Sequence, residues 1–215
     1  MQMRALDRVG ALLCPTKCIL CRRVLFPEAE LICPDCRPLT ENDMLRAGVS
    51  FSGCVSPMLY EGKVADAIRR LKFQDMSFYA GPLGRAVGRC IRDNLGGTYD
   101  LISWVPVSKK RLWQRGYDQA MLLARSAAEF LGTEAVSTLI KPVNNTAQSG
   151  LADPADRQSN VRGVYRAVDP ERIAGMRVLL IDDVITTGST LEEASRTLLD
   201  AGAASVVAAT VASAI

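Results

Sequence analysis

The sequence predicts a doubly wound α/β domain on a mostly parallel sheet, preceded by a small cysteine-rich module. Three observations carry this. Met176 to Ile181 is a nearly uninterrupted apolar run, the pattern of a strand buried on both faces of a parallel sheet. It leads through Asp182 and Asp183 into Thr186-Thr-Gly-Ser-Thr190, then a helix over Thr190 to Asp200 and a strand over Ser205 to Val211, which makes one β-loop-α-β unit. Five of the seven cysteines crowd into Cys14 to Cys36, a region with no sustained periodicity.

Taken in order, the first 40 residues are rich in cysteine, proline and charge and are expected to be mostly loops. A connector from Glu41 to about Ser50 precedes an apolar stretch, Gly53 to Tyr60, expected as the first strand. Val64, Ala67, Ile68 and Leu71 repeat at helical spacing, as do Leu83, Ala86, Val87, Cys90 and Ile91, so two amphipathic helices follow. Asp100 to Val107 reads as a short strand ending at Pro106, and Asp118 to Leu131 as a helix stopped by Gly132. Val136 to Ile140 is a further short strand. Lys141 to Asn160 is polar, contains prolines and lacks a period, the pattern of a loop that closes over a ligand. The expected division is residues 1–48 for the module and 49–215 for the α/β domain, a length that supports one well-buried core.

Composition narrows the function classes. With 48% hydrophobic and 23% charged residues the chain is not of a disordered class. No apolar run approaches the roughly 20 residues that span a bilayer, and Arg4, Asp7 and Arg8 sit where a signal peptide needs an apolar stretch. The clustered cysteines suit a metal site in a reducing compartment better than disulfides, so the expected location is the cytoplasm. The chain has no histidine, which excludes serine-histidine hydrolases and histidine-ligated zinc enzymes. From Lys63 to Arg125 twelve Lys and Arg face five Asp and Glu, a local excess suited to a polyanionic partner or to a solvated helical face.

The segment from Val178 to Thr190 carries the chemistry. Thr186, Thr187, Gly188, Ser189 and Thr190 present successive N–H groups and hydroxyls at a helix start, where unpaired donors and the helix dipole favour a phosphate dianion. Gly188 lets the backbone approach that phosphate closely. Asp182 and Asp183 stand where ligands of open α/β sheets bind, suited to accept hydrogen bonds from a ribose diol and to help hold Mg²⁺. An acidic turn with a capped helix is the alternative. The absence of a Gly-Lys-Ser/Thr ending argues against a Walker loop. After the strand ending at Val107, Ser108, Lys109, Lys110, Arg111 and Arg115 form a cationic turn that can face a diphosphate and stabilise it as a leaving group. The alternative there is a solvated basic surface.

Val178 to Thr190 resembles the binding motif for 5-phosphoribosyl-1-diphosphate (PRPP) of the type I phosphoribosyltransferases. The resemblance widens to the ComF (GntX-like) family of competence-associated phosphoribosyltransferase-like proteins. It rests on Val105 to Ser108, Arg115, Gly116, Tyr117 and Gln119, on Thr146, Gln148, Leu151, Arg157, Asn160 and Val161, and on Leu71, Lys72 and Phe73. Asp118 and Lys141 depart from the Asn and Arg of that pattern. The resemblance implies a type I phosphoribosyltransferase fold that transfers phosphoribose from PRPP to an acceptor with release of diphosphate. Asp182 and Asp183 would then be catalytic and metal-holding, Thr186 to Thr190 the 5′-phosphate site, and Ser108, Lys109, Arg111 and Arg115 the diphosphate site. The alternative it implies is non-catalytic, a PRPP-responsive factor of DNA uptake that meets single-stranded DNA or DNA-uptake proteins.

Cys18-Ile-Leu-Cys21 and Cys33-Pro-Asp-Cys36 are two Cys-x2-Cys knuckles eleven residues apart, the spacing of a closed tetrahedral thiolate site for structural Zn²⁺ rather than free thiols. Cys14, Cys54 and Cys90 are expected to be packing residues.

Overall fold

Uninterrupted β-branched and aliphatic sequence forms the centre of the sheet. The computed structural model of the chain describes residues 16–25, 31–142 and 163–214. Its strands are β1 (Met44–Arg46), β2 (Cys54–Ser56), β3 (Met58–Leu59), β4 (Leu101–Trp104), β5 (Leu139–Ile140), β6 (Arg166–Ala167), β7 (Arg177–Ile185) and β8 (Ser205–Ser213). The main sheet runs β1-β2-β8-β7-β4, with β3 also on β8. Every pairing in it is parallel except β1 with β2. β2 and β3 keep one register against β8, interrupted at Pro57, which has no N–H to donate.

The helices are α1 (Gly62–Phe73), α2 (Ala80–Leu95), α3 (Lys109–Arg115), α4 (Gln119–Phe130), α5 (Pro170–Ile173) and α6 (Ser189–Asp200). Successive side chains of β7 point to opposite faces and so serve two cores. Leu179 and Ile181 pack with α1, α2 and α4 on one face, while Val178 and Leu180 pack with Leu191, Ala194 and Leu198 of α6 on the other. This is the doubly wound arrangement expected from the sequence. α2 and α4 approach closely because small residues meet there: a Cβ at Gly84 would lie 2.6 Å from the Ser126 Cβ and 2.7 Å from the Leu123 carbonyl.

Several expectations are corrected. β1 lies inside the expected connector, and the first expected strand is split into β2 and β3. The cationic turn is a helix, α3, whose start is capped by Ser108 accepting the Arg111 N–H and whose end is a left-handed Gly116 with φ 76°. β7 does not stop before the acids: Asp182 pairs with Thr210 and Val184 with Ala212 of β8, so both carboxylates belong to the strand. Of the expected strand Val136 to Ile140, Leu139 and Ile140 pair antiparallel with β6 in a separate two-stranded sheet. Cys14 and residues 143–160 of the expected closing loop lie outside the described residues.

The cysteine-rich segment shares the larger core. Cys18, Ile19, Leu20, Cys33 and Cys36 are buried in one cluster with Leu71, Tyr79 and Leu83 of the α/β part. Arg70 of α1 donates to the Ile19 carbonyl at 3.2 Å, and Arg22 donates to the Tyr79 hydroxyl at 3.3 Å. Among the described residues no helix is long and apolar enough to cross a membrane.

Candidate functional site

β4 stops opposite Ile181 while β7 runs on to Ile185, and residues at and beyond these carboxyl ends line a cavity of about 240 Å³. Asp182, Asp183, Thr186 and Thr190 line it from β7 and the loop beyond. Lys72 of α1, Arg111 and Arg115 of α3, Gln119 of α4, Lys141 and Tyr165 line it from the other sides.

Asp183 is buried, and its two oxygens have different partners. Lys72 Nζ lies 2.7 Å from Oδ1, and Gln119 Nε2 donates to Oδ2 at 2.9 Å. Gln119 is itself oriented by Arg115, whose Nη1 donates to Oε1 at 2.7 Å and whose guanidinium stacks 4.9 Å from the Phe73 ring centroid. Tyr117 donates to the Leu71 carbonyl, which ties the α3–α4 junction to the end of α1. Arg115, Gln119, Asp183 and Lys72 therefore form one chain of contacts between α3, α4, β7 and α1.

Asp182 accepts the Asp183 N–H at 2.8 Å. Burial, then the neighbouring Asp183 charge, pushes its carboxyl up to about 8. An acid raised above its unfolded value of about 4 is protonated in the fold while the unfolded chain has already ionised. The stability this protonation contributes is present below about pH 4 and is lost as pH rises through 8. Asp182→Asn, which keeps the accepting oxygen, is expected to raise the melting temperature of the ligand-free protein above pH 8 by a few degrees, on the order of 1–2 kcal/mol, and to leave it unchanged near pH 4. Thermal melts across pH measure this; an equal effect at both ends would contradict it.

The loop after β7 turns directly into a helix start. Gly188 takes φ 83° and precedes α6, and Thr187 and Ser189 hydroxyls lie 2.8 Å apart. Arg46 of β1 donates to the Thr186 carbonyl at 2.6 Å and the Ala214 carbonyl at 3.1 Å, bracing the loop from the sheet edge. On the opposite wall, Asp118 accepts the Val107 N–H through Oδ2 and the Met121 N–H through Oδ1, both at 3.1 Å. It thus caps α4 and pins the loop that leads into Ser108. An Asn, as in the resembling family, has one such oxygen, so Asp118 holds this corner with two acceptors.

The fold thus brings Asp182, Asp183, Thr186, Thr190, Arg111 and Arg115 to one cavity. Ser108 follows the lining residue Val107 and serves as the α3 cap, Thr187, Gly188 and Ser189 lie between the lining residues Thr186 and Thr190, and Lys109 is exposed outside the lining. Sequence reasoning assigned no role to Lys72, Gln119, Tyr165 or Arg46. Lys141 lies over the Tyr165 ring at 4.9 Å, its ammonium pK lowered by burial and by Arg111.

The second constellation is the cysteine cluster. The Sγ atoms of Cys18, Cys21, Cys33 and Cys36 all lie within 4.8 Å of one another, and Cys21 and Cys33 are 3.7 Å apart. Tetrahedral ligands at 2.3 Å from one ion would be separated by about 3.8 Å, so the donor set fits a four-thiolate metal. The Cys33 N–H donates to the Cys18 sulfur at 3.4 Å. Cys54 and Cys90 are buried, with thiols pushed up to about 12 mainly by burial, which suits packing rather than nucleophilic roles.

Comparison with known proteins agrees with this geometry. Residues 131–215 match the phosphoribosyl transferase domain family. The DNA utilization protein YhgH of Salmonella typhimurium is 30% identical over 199 residues, 88% of this chain and 86% of that protein. Competence protein F of Haemophilus influenzae is 37% identical over 142 residues, 63% of this chain, and the match spans 61% of that protein's length. Competence protein ComFC of Bacillus subtilis is 36% identical over 106 residues, 48% of this chain and 40% of that protein. The chain therefore belongs to the ComF family that these proteins represent, with a phosphoribosyl transferase domain over residues 131–215 and a four-cysteine cluster near its amino terminus.

Proposed function

We propose that the chain binds PRPP with Mg²⁺ in the cavity at the ends of β4 and β7 and transfers its phosphoribosyl group to an acceptor, releasing diphosphate. The observation that supports this most is the joining of a phosphate cradle, two buried carboxylates and a cationic wall around one cavity. In this reading the N–H groups and hydroxyls of Thr186 to Thr190 hold the 5′-phosphate. Asp182 and Asp183 accept from the ribose hydroxyls and hold the metal. Arg111 and Arg115 face the diphosphate, where fixed cations favour the charge that builds on a leaving group, while Ser108 caps their helix and Lys109, outside the lining, adds charge only from a distance. Mg²⁺, when bound, supplies further neutralisation of that charge. Diphosphate release from PRPP, measured with each of a panel of nucleobases, tests transfer: release with one acceptor supports it, and none with any acceptor rejects catalysis on that class.

A second reading has its own support. α3 presents Lys109, Lys110, Arg111 and Arg115 beside Trp113, which is 88% exposed, and Phe73 is 71% exposed nearby. Cations interleaved with open rings suit single-stranded DNA, and relatives carry the names of competence and DNA utilization proteins. On this reading the chain is a PRPP-responsive factor of DNA uptake in the cytoplasm. Salt-sensitive binding of single-stranded DNA without diphosphate release supports it.

The cysteine cluster is proposed to hold one structural Zn²⁺ through Cys18, Cys21, Cys33 and Cys36, in the module of residues 1–48. Metal analysis of purified protein is expected to find about one zinc per chain. Cys33→Ser should lose it and Cys54→Ser should keep it; full occupancy in Cys33→Ser contradicts the ligand set.

A further inference from the structure

We propose that Lys72 is an exchangeable counter-ion for Asp183, occupying the metal-facing edge of the acidic pair until a divalent cation arrives together with a diphosphate. This rests on the PRPP reading of the same site. Lys72 Nζ lies 2.7 Å from Asp183 Oδ1, with the Asp183 side chain 6% and the Lys72 side chain 22% exposed. Gln119 holds the second oxygen of Asp183, so both are taken. A buried carboxylate beside a second one needs a compensating charge, and Lys72 supplies it in the ligand-free chain.

Mg²⁺ binds carboxylate oxygen at about 2.1 Å, which falls within the space this ammonium fills, and two cations cannot share it. Lys72 must therefore leave when the metal enters. The structure provides room: Lys72 lines the 240 Å³ cavity and also a neighbouring open cleft of about 800 Å³, and Arg111 and Arg115 line both. A displaced ammonium among two guanidinium groups needs an anion. Free Mg²⁺ brings none, and ribose 5-phosphate brings its charge to the far end of the site, at Thr186 to Thr190. Magnesium-bound diphosphate supplies the metal for Asp183 and the anion for Lys72 in one step. Lys72 thus acts as a specificity residue that makes the empty site resist bare metal and accept it with the diphosphate of PRPP.

The test uses the full chain, Lys72→Met and Lys72→Arg, with Mn²⁺ as a spin probe and no PRPP, all compared at the same pH. Lys72→Met is expected to bind Mn²⁺ about tenfold or more tightly than wild type, the scale of one charge-assisted contact, and Lys72→Arg to stay weak. By calorimetry with Mg²⁺, Lys72→Met should lose about tenfold for PRPP while ribose 5-phosphate changes less than about twofold. Mn²⁺ affinity in a folded Lys72→Met equal to wild type, or equal losses for both ligands, overturns the proposal. Tighter Mn²⁺ in Lys72→Met with no PRPP binding by the wild type rejects the PRPP reading and keeps Lys72 as the competitor.

Discussion

Replacing Asp182 and Asp183 together by Asn is expected to weaken PRPP binding by roughly ten- to a hundredfold and to remove most of its dependence on Mg²⁺, the scale of one or two lost charge-assisted hydrogen bonds. The reason lies in the strand. Asp182 and Asp183 both lie within β7, and two buried acids line a cavity that Thr186 and Thr190 also line. Without a cation and hydroxyl partners, a phosphate dianion there would be repelled at short range. Calorimetric titration of the variant with and without Mg²⁺ measures both effects, and circular dichroism checks the fold. Unchanged affinity and metal dependence would remove the carboxylates from the site.

Removing zinc is expected to have the largest effect on stability and a second, smaller effect on PRPP. Cys18, Ile19, Leu20, Cys33 and Cys36 are buried against Leu71 of α1, and Arg70 bonds the Ile19 carbonyl within the first knuckle. Lys72 and Phe73 follow directly and line the ligand cavities. A segment this short depends on its metal, so chelation should lower the melting temperature by more than about ten degrees, on the order of 5 kcal/mol, with recovery when zinc is restored. PRPP affinity should fall with it, because α1 loses the surface it packs on. Complete zinc removal with no change in melting would contradict a structural role.

What could be read in the sequence follows contiguity. Asp182 to Thr190 is one unbroken segment, and β7 announces itself by an apolar run that serves two cores, so the strand, the acids and the helix start beyond them are legible without knowing any partner. α3 is not, because its apolar residues Leu112 and Trp113 are exposed and leave no periodic face; only its caps, Ser108 and Gly116, signal a helix. β1 is three residues long and exists through pairing with β2, which no local pattern reveals. The placement of Asp182 and Asp183 inside β7 depends on how far β8 extends beside it. The contact between Lys72 and Asp183 joins residues 111 positions apart in the sequence, brought together only when α1 folds over the sheet. Arg46, at a sheet edge beside the Thr186 carbonyl, is hidden for the same reason.

The most direct measurement of the central claim is calorimetric titration of the wild-type chain with PRPP in the presence and absence of Mg²⁺, beside ribose 5-phosphate and diphosphate alone. Saturable binding of PRPP at one site per chain, strengthened about tenfold or more by Mg²⁺ and tighter than either fragment, is the expected result. No detectable PRPP binding by zinc-loaded, folded protein would contradict the account.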